Sequence, residues 1–213
     1  MDSELRNKLF AITKKRVRND ISHGFDHISR VLSMAEKIGR MEKADLDIIV
    51  PAALFHDIVV YKGTARQHRE TEESAAIAKE VLGKIQEYPK QKITEVIYAI
   101  LVCSFSKNIK PKTLEARIVQ DADLLEATGA ISIMRTFASG PVMGNRKFFD
   151  NKDPFVNKRK PDDGKYSLDL FYTRLLIAKE RMHTKTARKI AQRRTAFLKS
   201  FLEELRLELA ESK

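Results

Sequence analysis

Apolar residues recur at steps of three and four along most of this 213-residue chain, and this is the period of an amphipathic helix. The pattern predicts an opening helix over residues 3–18, where apolar and basic positions alternate. It predicts a second helix over residues 25–38, and Gly39 stands where a C-terminal cap would end that helix. We therefore expect two helices at the start of the chain, separated by a short polar break.

The next predicted helix is almost entirely apolar. Either Asp45 or Asp47 can cap its start, and Pro51 falls in its first turns, where a missing N–H is tolerated. Its apolar run continues to about Tyr61. Further helical segments are predicted over residues 70–82, with Ala75, Ala76, Ala78 and Val81 facing inward and Gly83 at the end, and over residues 93–102, 113–127 and 129–137.

The last third of the chain has a different pattern. Glycine, proline and charged residues concentrate between positions 139 and 166, which predicts a long loop or lid. Two long amphipathic runs then fill residues 167–213 and divide near His183-Thr184, where Thr184 can serve as an N-cap. These runs predict a closing helical hairpin, and the whole pattern predicts an all-α fold.

Composition supports a single domain over residues 1–213. Hydrophobic residues make up 43% of the chain, glycine and proline are sparse, and no segment reads as an inter-domain linker. Cys103 is the only cysteine, which rules out an internal disulfide, and no secretory signal pattern is present. The longest apolar run, residues 48–61, falls short of the roughly 20 residues that a bilayer span requires. We expect a soluble, cytoplasmic protein with no membrane anchor.

The net charge of +11 favours anionic partners, either nucleic acid or a phosphate-bearing small molecule. A merely solvated basic surface would give the same value. The final predicted helix carries a basic stripe, but this stripe lacks interleaved aromatic residues, so we favour a solvated face over a nucleic-acid interface. The stripe consists of Lys185, Arg188, Lys189, Arg193 and Arg194.

An ionisable pair, His56-Asp57, interrupts the apolar run of the third predicted helix. A buried carboxylate without a partner costs several kcal/mol, so the pair should be matched to a cation or to several hydrogen-bond donors. A metal ion would supply that match. The alternative is a core histidine beside an aspartate that pairs with an arginine.

Two other clusters shift the balance towards metal. His23 and His27 stand four residues apart near a predicted helix start, with Asp26 between them, and Asp121 or Asp123 must point inward on a later helix. The aspartates could instead stabilise the dipole of that helix. Histidine, histidine-aspartate and aspartate together suit Mn, Fe, Co, Zn or Mg, and they leave coordination positions open for water and for a phosphate oxygen.

These segments resemble the HD-domain phosphohydrolase superfamily, in particular its compact single-domain branch from bacteria and archaea. The resemblance covers about residues 20–205 and rests on residues 23–31, 54–57, 120–125 and 129–138, with further matches in the C-terminal runs. It implies an all-helical HD bundle that hydrolyses phosphoester or phosphoanhydride bonds, often of nucleotides. It also implies that a divalent metal is bound by His27, His56, Asp57 and Asp123, with Asp121 as the fallback for the last position.

The chain departs from that branch at Cys103, where histidine is common. A cysteine thiolate would favour a softer ion such as Zn or Fe(II). More often, a cysteine in an apolar helix is simply a small core residue. The departure puts in doubt any second metal position or substrate contact that the histidine would supply.

The sequence thus predicts a metal-dependent phosphohydrolase in which Asp57 also positions the attacking water. Arg30, Arg66 and His68 are candidates for binding substrate phosphates, since guanidinium groups bind phosphate oxygens in a bidentate manner. Arg69 and Arg135 could serve in the same way or in structural ion pairs. The oligomeric state stays open, with a homodimer as one option. Residues that could support the metal ligands from behind are His23, Asp26, Cys103 and Asp121.

Two other functions compete with hydrolysis. One is a catalytically reduced HD scaffold that binds nucleic acid or protein, as suggested by the basic tail and by Cys103. The other is a di-iron oxygenase, which is disfavoured because only four good ligands are evident.

Overall fold

The computed structural model describes residues 1–17, 24–61, 66–139 and 146–211. Within these ranges the structure is helical and contains no β-strand, which confirms the predicted all-α class. Among the described helices, none is long and apolar enough to cross a membrane. The α-helices are α1 (Ser3–Arg16), α2 (Phe25–Met41), α3 (Leu46–Phe55), α4 (Glu70–Lys84), α5 (Ile93–Leu101), α6 (Leu114–Leu124), α7 (Gly129–Ser139) and α8 (Lys185–Glu211).

The chain divides into two compact units, residues 1–123 and residues 124–213. Each unit is described by itself below. The single domain expected over residues 1–213 stays a prediction.

In the first unit, α3 packs against α2 and α5, and α5 also packs against α4. The apolar positions predicted for α2 are confirmed as core, because Ile28, Val31, Leu32, Ala35 and Ile38 are buried. On α4 the predicted inward face is confirmed with one exception, since Ala76 is exposed. The α4 position that packs inward in its place is the polar residue Ser74, which is buried and accepts a hydrogen bond from the Val59 N–H.

The two glycines predicted to end helices lie inside them instead. Helix α2 continues past Gly39 to Met41, and α4 continues past Gly83 to Lys84. Packing explains why glycine occupies position 39 inside the helix, because a Cβ atom there would lie 2.8 Å from Ile49 Cδ1 and 3.0 Å from a Leu46 methyl carbon. Its missing side chain lets α2 and α3 approach closely. Gly83 has open space around it.

These two glycines should therefore respond in opposite ways to the same substitution. Gly39→Ala should lower the free energy of unfolding by about 1–2 kcal/mol, since overpacking costs about 1–3 kcal/mol and helix propensity returns at most about 1. Gly83→Ala should raise it by up to about 1 kcal/mol. Urea denaturation checks both values, and equal effects of the two variants would contradict the packing role of Gly39.

Helix α3 ends earlier than predicted. Its N-cap is Asp45, whose carboxylate accepts a hydrogen bond from the Asp47 N–H, but the helix stops at Phe55 rather than near Tyr61. The reason is local: the His56 ring hydrogen-bonds the Ala53 carbonyl, at 2.8 Å, which the N–H four residues on would otherwise use. His56 and Asp57 thus lie in the turn after the helix.

In the second unit, α7 and α8 pack together around an apolar cluster. Thr184 caps α8 as predicted, with its hydroxyl oxygen accepting from the Ala187 N–H at 3.2 Å. The first arm of the predicted hairpin is not one long helix. It consists of a short π-helix (Phe171–Leu175) and a 3-10 helix (Ala178–Arg181). The buried members of the cluster are Phe155, Leu168, Phe171, Leu175, Leu198 and Leu202.

The predicted long loop is confirmed over residues 146–166, while residues 140–145 lie outside the described part of the chain. One isolated bridge joins Lys147 and Tyr166. The loop is fixed by Arg159, whose guanidinium donates two hydrogen bonds to the fully buried carboxylate of Asp169 and lies over the Tyr166 ring. A lid function for this loop stays a prediction.

Loss of the Asp169 charge should therefore destabilise the second unit. Asp169→Asn should cost about 3 kcal/mol, the lower end of the range for a broken buried ion pair, because Arg159 keeps about a fifth of its side chain exposed. The matched change Glu180→Gln, on an exposed carboxylate, should cost less than about 0.5 kcal/mol. Equal urea midpoints for the two variants would show that the buried pair does not hold the loop.

Candidate metal centre

Three elements of the first unit deliver the four predicted ligands. The first turn of α2 carries His27, the turn after α3 carries His56 and Asp57, and the last turn of α6 carries Asp123. The close packing of α2 on α3 brings the two histidines together although 29 residues separate them along the chain. The sequence hypothesis required these side chains to converge, and they do.

The ligand atoms surround a common centre. The two imidazole Nε2 atoms lie 3.4 Å apart. Asp57 Oδ2 lies 3.6 Å from His27 Nε2 and 3.7 Å from His56 Nε2, and Asp123 Oδ1 lies 3.5 Å and 3.8 Å from the same two atoms. The ligand atoms of His27, His56 and Asp57 all lie within 4.8 Å of one another, so this group could hold a metal ion.

The spacing fits a divalent cation. Ligand atoms at about 2.1 Å from one ion lie about 3.0–3.4 Å apart at neighbouring positions, so the observed spacing of 3.4–3.8 Å needs only a small contraction. The hydrogen bond to the Ala53 carbonyl places the His56 ring proton on Nδ1, which leaves the Nε2 lone pair facing the centre. Two nitrogen and two carboxylate donors suit Mn, Fe, Co, Zn or Mg rather than an ion that demands thiolates.

Burial is uneven across the centre, and this determines where a substrate can enter. The imidazoles are buried, with side chains 1% exposed, whereas the carboxylates of Asp57 and Asp123 are 26% and 22% exposed. The centre therefore opens to solvent on the carboxylate side. An ion held there would keep coordination positions available to water and to a phosphate oxygen.

The residues predicted to support the ligands are placed differently from one another. Asp121 is fully buried, whereas Asp26 is exposed on the first turn of α2. His23 lies outside the described residues. These positions leave the supporting roles as predictions.

The predicted phosphate-binding residues lie at accessible positions. Arg30 is half-buried on α2, and both Arg66 and His68 are exposed at the end of the segment that leads into α4. The Arg66 guanidinium lies over the ring of Tyr61, 5.2 Å from its centroid. Their part in substrate binding stays a prediction.

Cys103 has the surroundings of a core residue. It is buried, and its Sγ lies 3.9 Å from the Val119 carbonyl oxygen. Burial raises the pKa of the Cys103 thiol well above its ordinary value, and the Asp123 and Asp57 carboxylates raise it further. The burial and the contact with the Val119 carbonyl are typical of a small core residue, and a role of Cys103 in metal binding stays a prediction.

Two supporting groups could not be found from sequence pattern. The Ala53 carbonyl orients His56, but a backbone acceptor has no signature in the sequence. Gln120 is buried, and its amide donates to the Val102 and Ile109 carbonyls at 2.6 Å and 3.1 Å, which fixes the segment after α5. Its only signal was a polar residue inside an apolar stretch.

Replacement of Cys103 should separate the two interpretations of this residue. Cys103→Ala should lower the free energy of unfolding by about 1–2 kcal/mol through lost burial and a small cavity. Metal content per chain, measured by elemental analysis, should be unchanged. Loss of metal from this variant at full helical content would instead identify the thiolate as a ligand.

Comparisons with known proteins identify the family of the chain. The HD domain model matches residues 24–128, a range that contains all four predicted ligands. YpgQ of Bacillus subtilis (strain 168), described as an uncharacterized protein, is 32% identical over 191 residues, covering 86% of this chain and 82% of YpgQ.

Solved structures of similar proteins indicate the same family. The crystal structure of B. subtilis YpgQ in complex with ADP is similar with a TM-score of 0.73 at 27% identity, covering 96% of this chain and 95% of that one. The structure of an HD-superfamily hydrolase from Bacillus thuringiensis is similar with a TM-score of 0.70 at 30% identity, covering 96% of each chain. The chain therefore belongs to the HD-domain family, and the resemblance drawn from its sequence is confirmed.

Proposed function

We propose that this protein is a metal-dependent phosphohydrolase that acts on a phosphorylated small molecule, with nucleotides as the expected class. The observation that supports this most directly is the convergence of His27, His56 and Asp57 around one point, with Asp123 Oδ1 at 3.5 Å and 3.8 Å from the two imidazoles. The proposal agrees with the hydrolase names of its structural relatives.

The four side chains form two pairs with different parts in the proposed reaction. The two buried imidazoles would hold the ion from inside, and the two carboxylates would hold it on the side that faces solvent. A bound divalent ion supplies a Lewis acid for the phosphoryl group and makes the attacking water more acidic. Asp57, about a quarter exposed, would orient that water through its carboxylate.

Nucleotides are proposed as substrates on two grounds. The net charge of +11 favours anionic ligands, and the exposed Arg66 and His68 offer phosphate-binding groups. In addition, a relative that is 27% identical was crystallised with ADP.

The competing function, a binding module for nucleic acid, receives less support from α8. Arg188 donates hydrogen bonds to the Met182 and His183 carbonyls, and Arg194 donates to the Leu125 carbonyl. Two of the five basic residues in the stripe are thus used to hold the backbone. Both guanidinium groups keep their charge, but the donors used in these hydrogen bonds are not available for phosphate contacts.

The proposal predicts that Asp57→Ala loses metal and activity together. Removal of this ligand should weaken metal binding by more than about 100-fold, beyond the range known for loss of outer-shell partners, and hydrolysis should fall to background. Elemental analysis and a panel of nucleotides tested with Mn, Co, Mg and Zn measure the two effects. Circular dichroism should show nearly unchanged helical content.

The matched control is Glu80→Ala, which removes an exposed carboxylate on α4 that pairs with Lys84. It should retain metal and activity. Full activity in Asp57→Ala would refute the assigned role. Failure of the wild-type protein to hydrolyse any phosphate ester, together with RNA binding that weakens steeply with salt, would favour the binding module.

A further inference from the structure

Helix α3 lacks one of its own hydrogen bonds, at Pro51. In a regular α-helix the N–H of residue 51 donates a hydrogen bond to the carbonyl of residue 47, but proline has no N–H. Pro51 is the sixth residue of a ten-residue helix, which is beyond the first turn where a missing N–H has no consequence. The Asp47 carbonyl is therefore left without its helical donor.

A side chain from outside the helix supplies the missing donor. The Tyr88 hydroxyl donates a hydrogen bond to the Asp47 carbonyl oxygen at 2.8 Å. Tyr88 is 1% exposed and is among the largest fully buried side chains of the described chain. Burial raises its pKa above the ordinary tyrosine value, and Asp47 and Asp45 raise it further, so the hydroxyl stays protonated as a donor.

A second contact ties the same two segments together. Lys92, four residues after Tyr88, lies 2.7 Å from carboxylate oxygens of both Asp45 and Asp47. The start of α3 is thus held to residues 88–92 through its backbone and through two side chains. Tyr88 therefore supplies a hydrogen-bond donor to the carbonyl for which Pro51 has no N–H.

The other end of the same helix delivers two metal ligands. The Ala53 carbonyl, two residues after Pro51, orients His56, and Asp57 follows directly. A ten-residue helix is only about 15 Å long, so a change in its direction at Pro51 is transmitted to His56 as a displacement. A displacement of about 1 Å is enough to disturb a metal site that requires well-fixed ligands.

We propose that Tyr88 is a positioning residue for the metal centre, because its hydroxyl bond to the Asp47 carbonyl fixes the course of α3 and hence the place of His56 and Asp57 relative to His27. The inference rests on the proposed metal-dependent function. Tyr88 itself acts only through α3, with no part in binding the ion or the substrate.

The experiment compares the metal affinity of four variants with that of the wild-type protein. Tyr88→Phe removes only the hydroxyl and should weaken Mn²⁺ binding about tenfold, the lower end for loss of an outer-shell partner, and shift the absorption bands of bound Co²⁺. Pro51→Ala restores the helical N–H, so Tyr88→Phe in that background should cost less than about twofold. The control Tyr98→Phe removes another tyrosine hydroxyl of this unit, which accepts from the Lys112 N–H, and should leave both readouts unchanged.

Each result has a defined meaning. If the role of Tyr88 is purely structural, Tyr88→Phe will lower the melting temperature but leave the metal affinity and the Co²⁺ spectrum, measured well below that temperature, at wild-type values. This result would overturn the inference and leave the proposed function intact. An equal loss of affinity from Tyr88→Phe with and without Pro51→Ala would also overturn it. Absence of Mn²⁺ and Co²⁺ binding in the wild-type protein would overturn the proposed function and the inference together.

Discussion

Four polar side chains at the edge of an apolar helical core, with each carboxylate 3.5–3.8 Å from the two imidazole nitrogens, form the constraint on which the first unit depends. Each imidazole or carboxylate that leaves water costs several kcal/mol unless a partner compensates it. Two carboxylates that face the same two nitrogens repel each other unless a cation lies between them. The arrangement is therefore costly as a set of side chains and favourable as a set of ligands, which is the usual state of a site that exists for binding.

The helices meet this constraint through a few backbone groups. The Ala53 carbonyl is used by the His56 ring rather than by the helix, and the Asp47 carbonyl is used by the Tyr88 hydroxyl because Pro51 has no N–H. In both cases a side chain takes over a hydrogen bond that a regular helix would form within its own backbone. Gly39 adds the close approach of α2 to the first turns of α3, at Leu46 and Ile49.

The second unit relies on another kind of interaction. Its long loop is organised by the buried pair of Arg159 and Asp169 rather than by regular secondary structure. Gly129, with a positive φ of 73°, begins α7 where the Arg194 side chain packs against it, and Arg194 donates to the Leu125 carbonyl. Arginine in this unit therefore stabilises irregular backbone, a structural use of charge that the net charge of the chain does not reveal.

The sequence by itself determined the all-α class and the burial of the α2 face, because helical periodicity is a local signal. Ionisable residues in apolar runs indicated a metal site, and the resemblance to the HD family supplied the choice of the four ligands. The sequence misplaced the end of α2, since a glycine at a helix terminus and a glycine at a helix contact look alike until the neighbour, here Ile49, is known. It extended α3 beyond Phe55 for a similar reason: the competition of the His56 ring for the Ala53 carbonyl depends on geometry. It also ended α4 at Gly83, although the helix continues to Lys84. The 3.4 Å approach of two imidazoles, the burial of Cys103 and the bond from Tyr88 to α3 were decided only by tertiary structure, because each depends on packing between segments far apart in the chain.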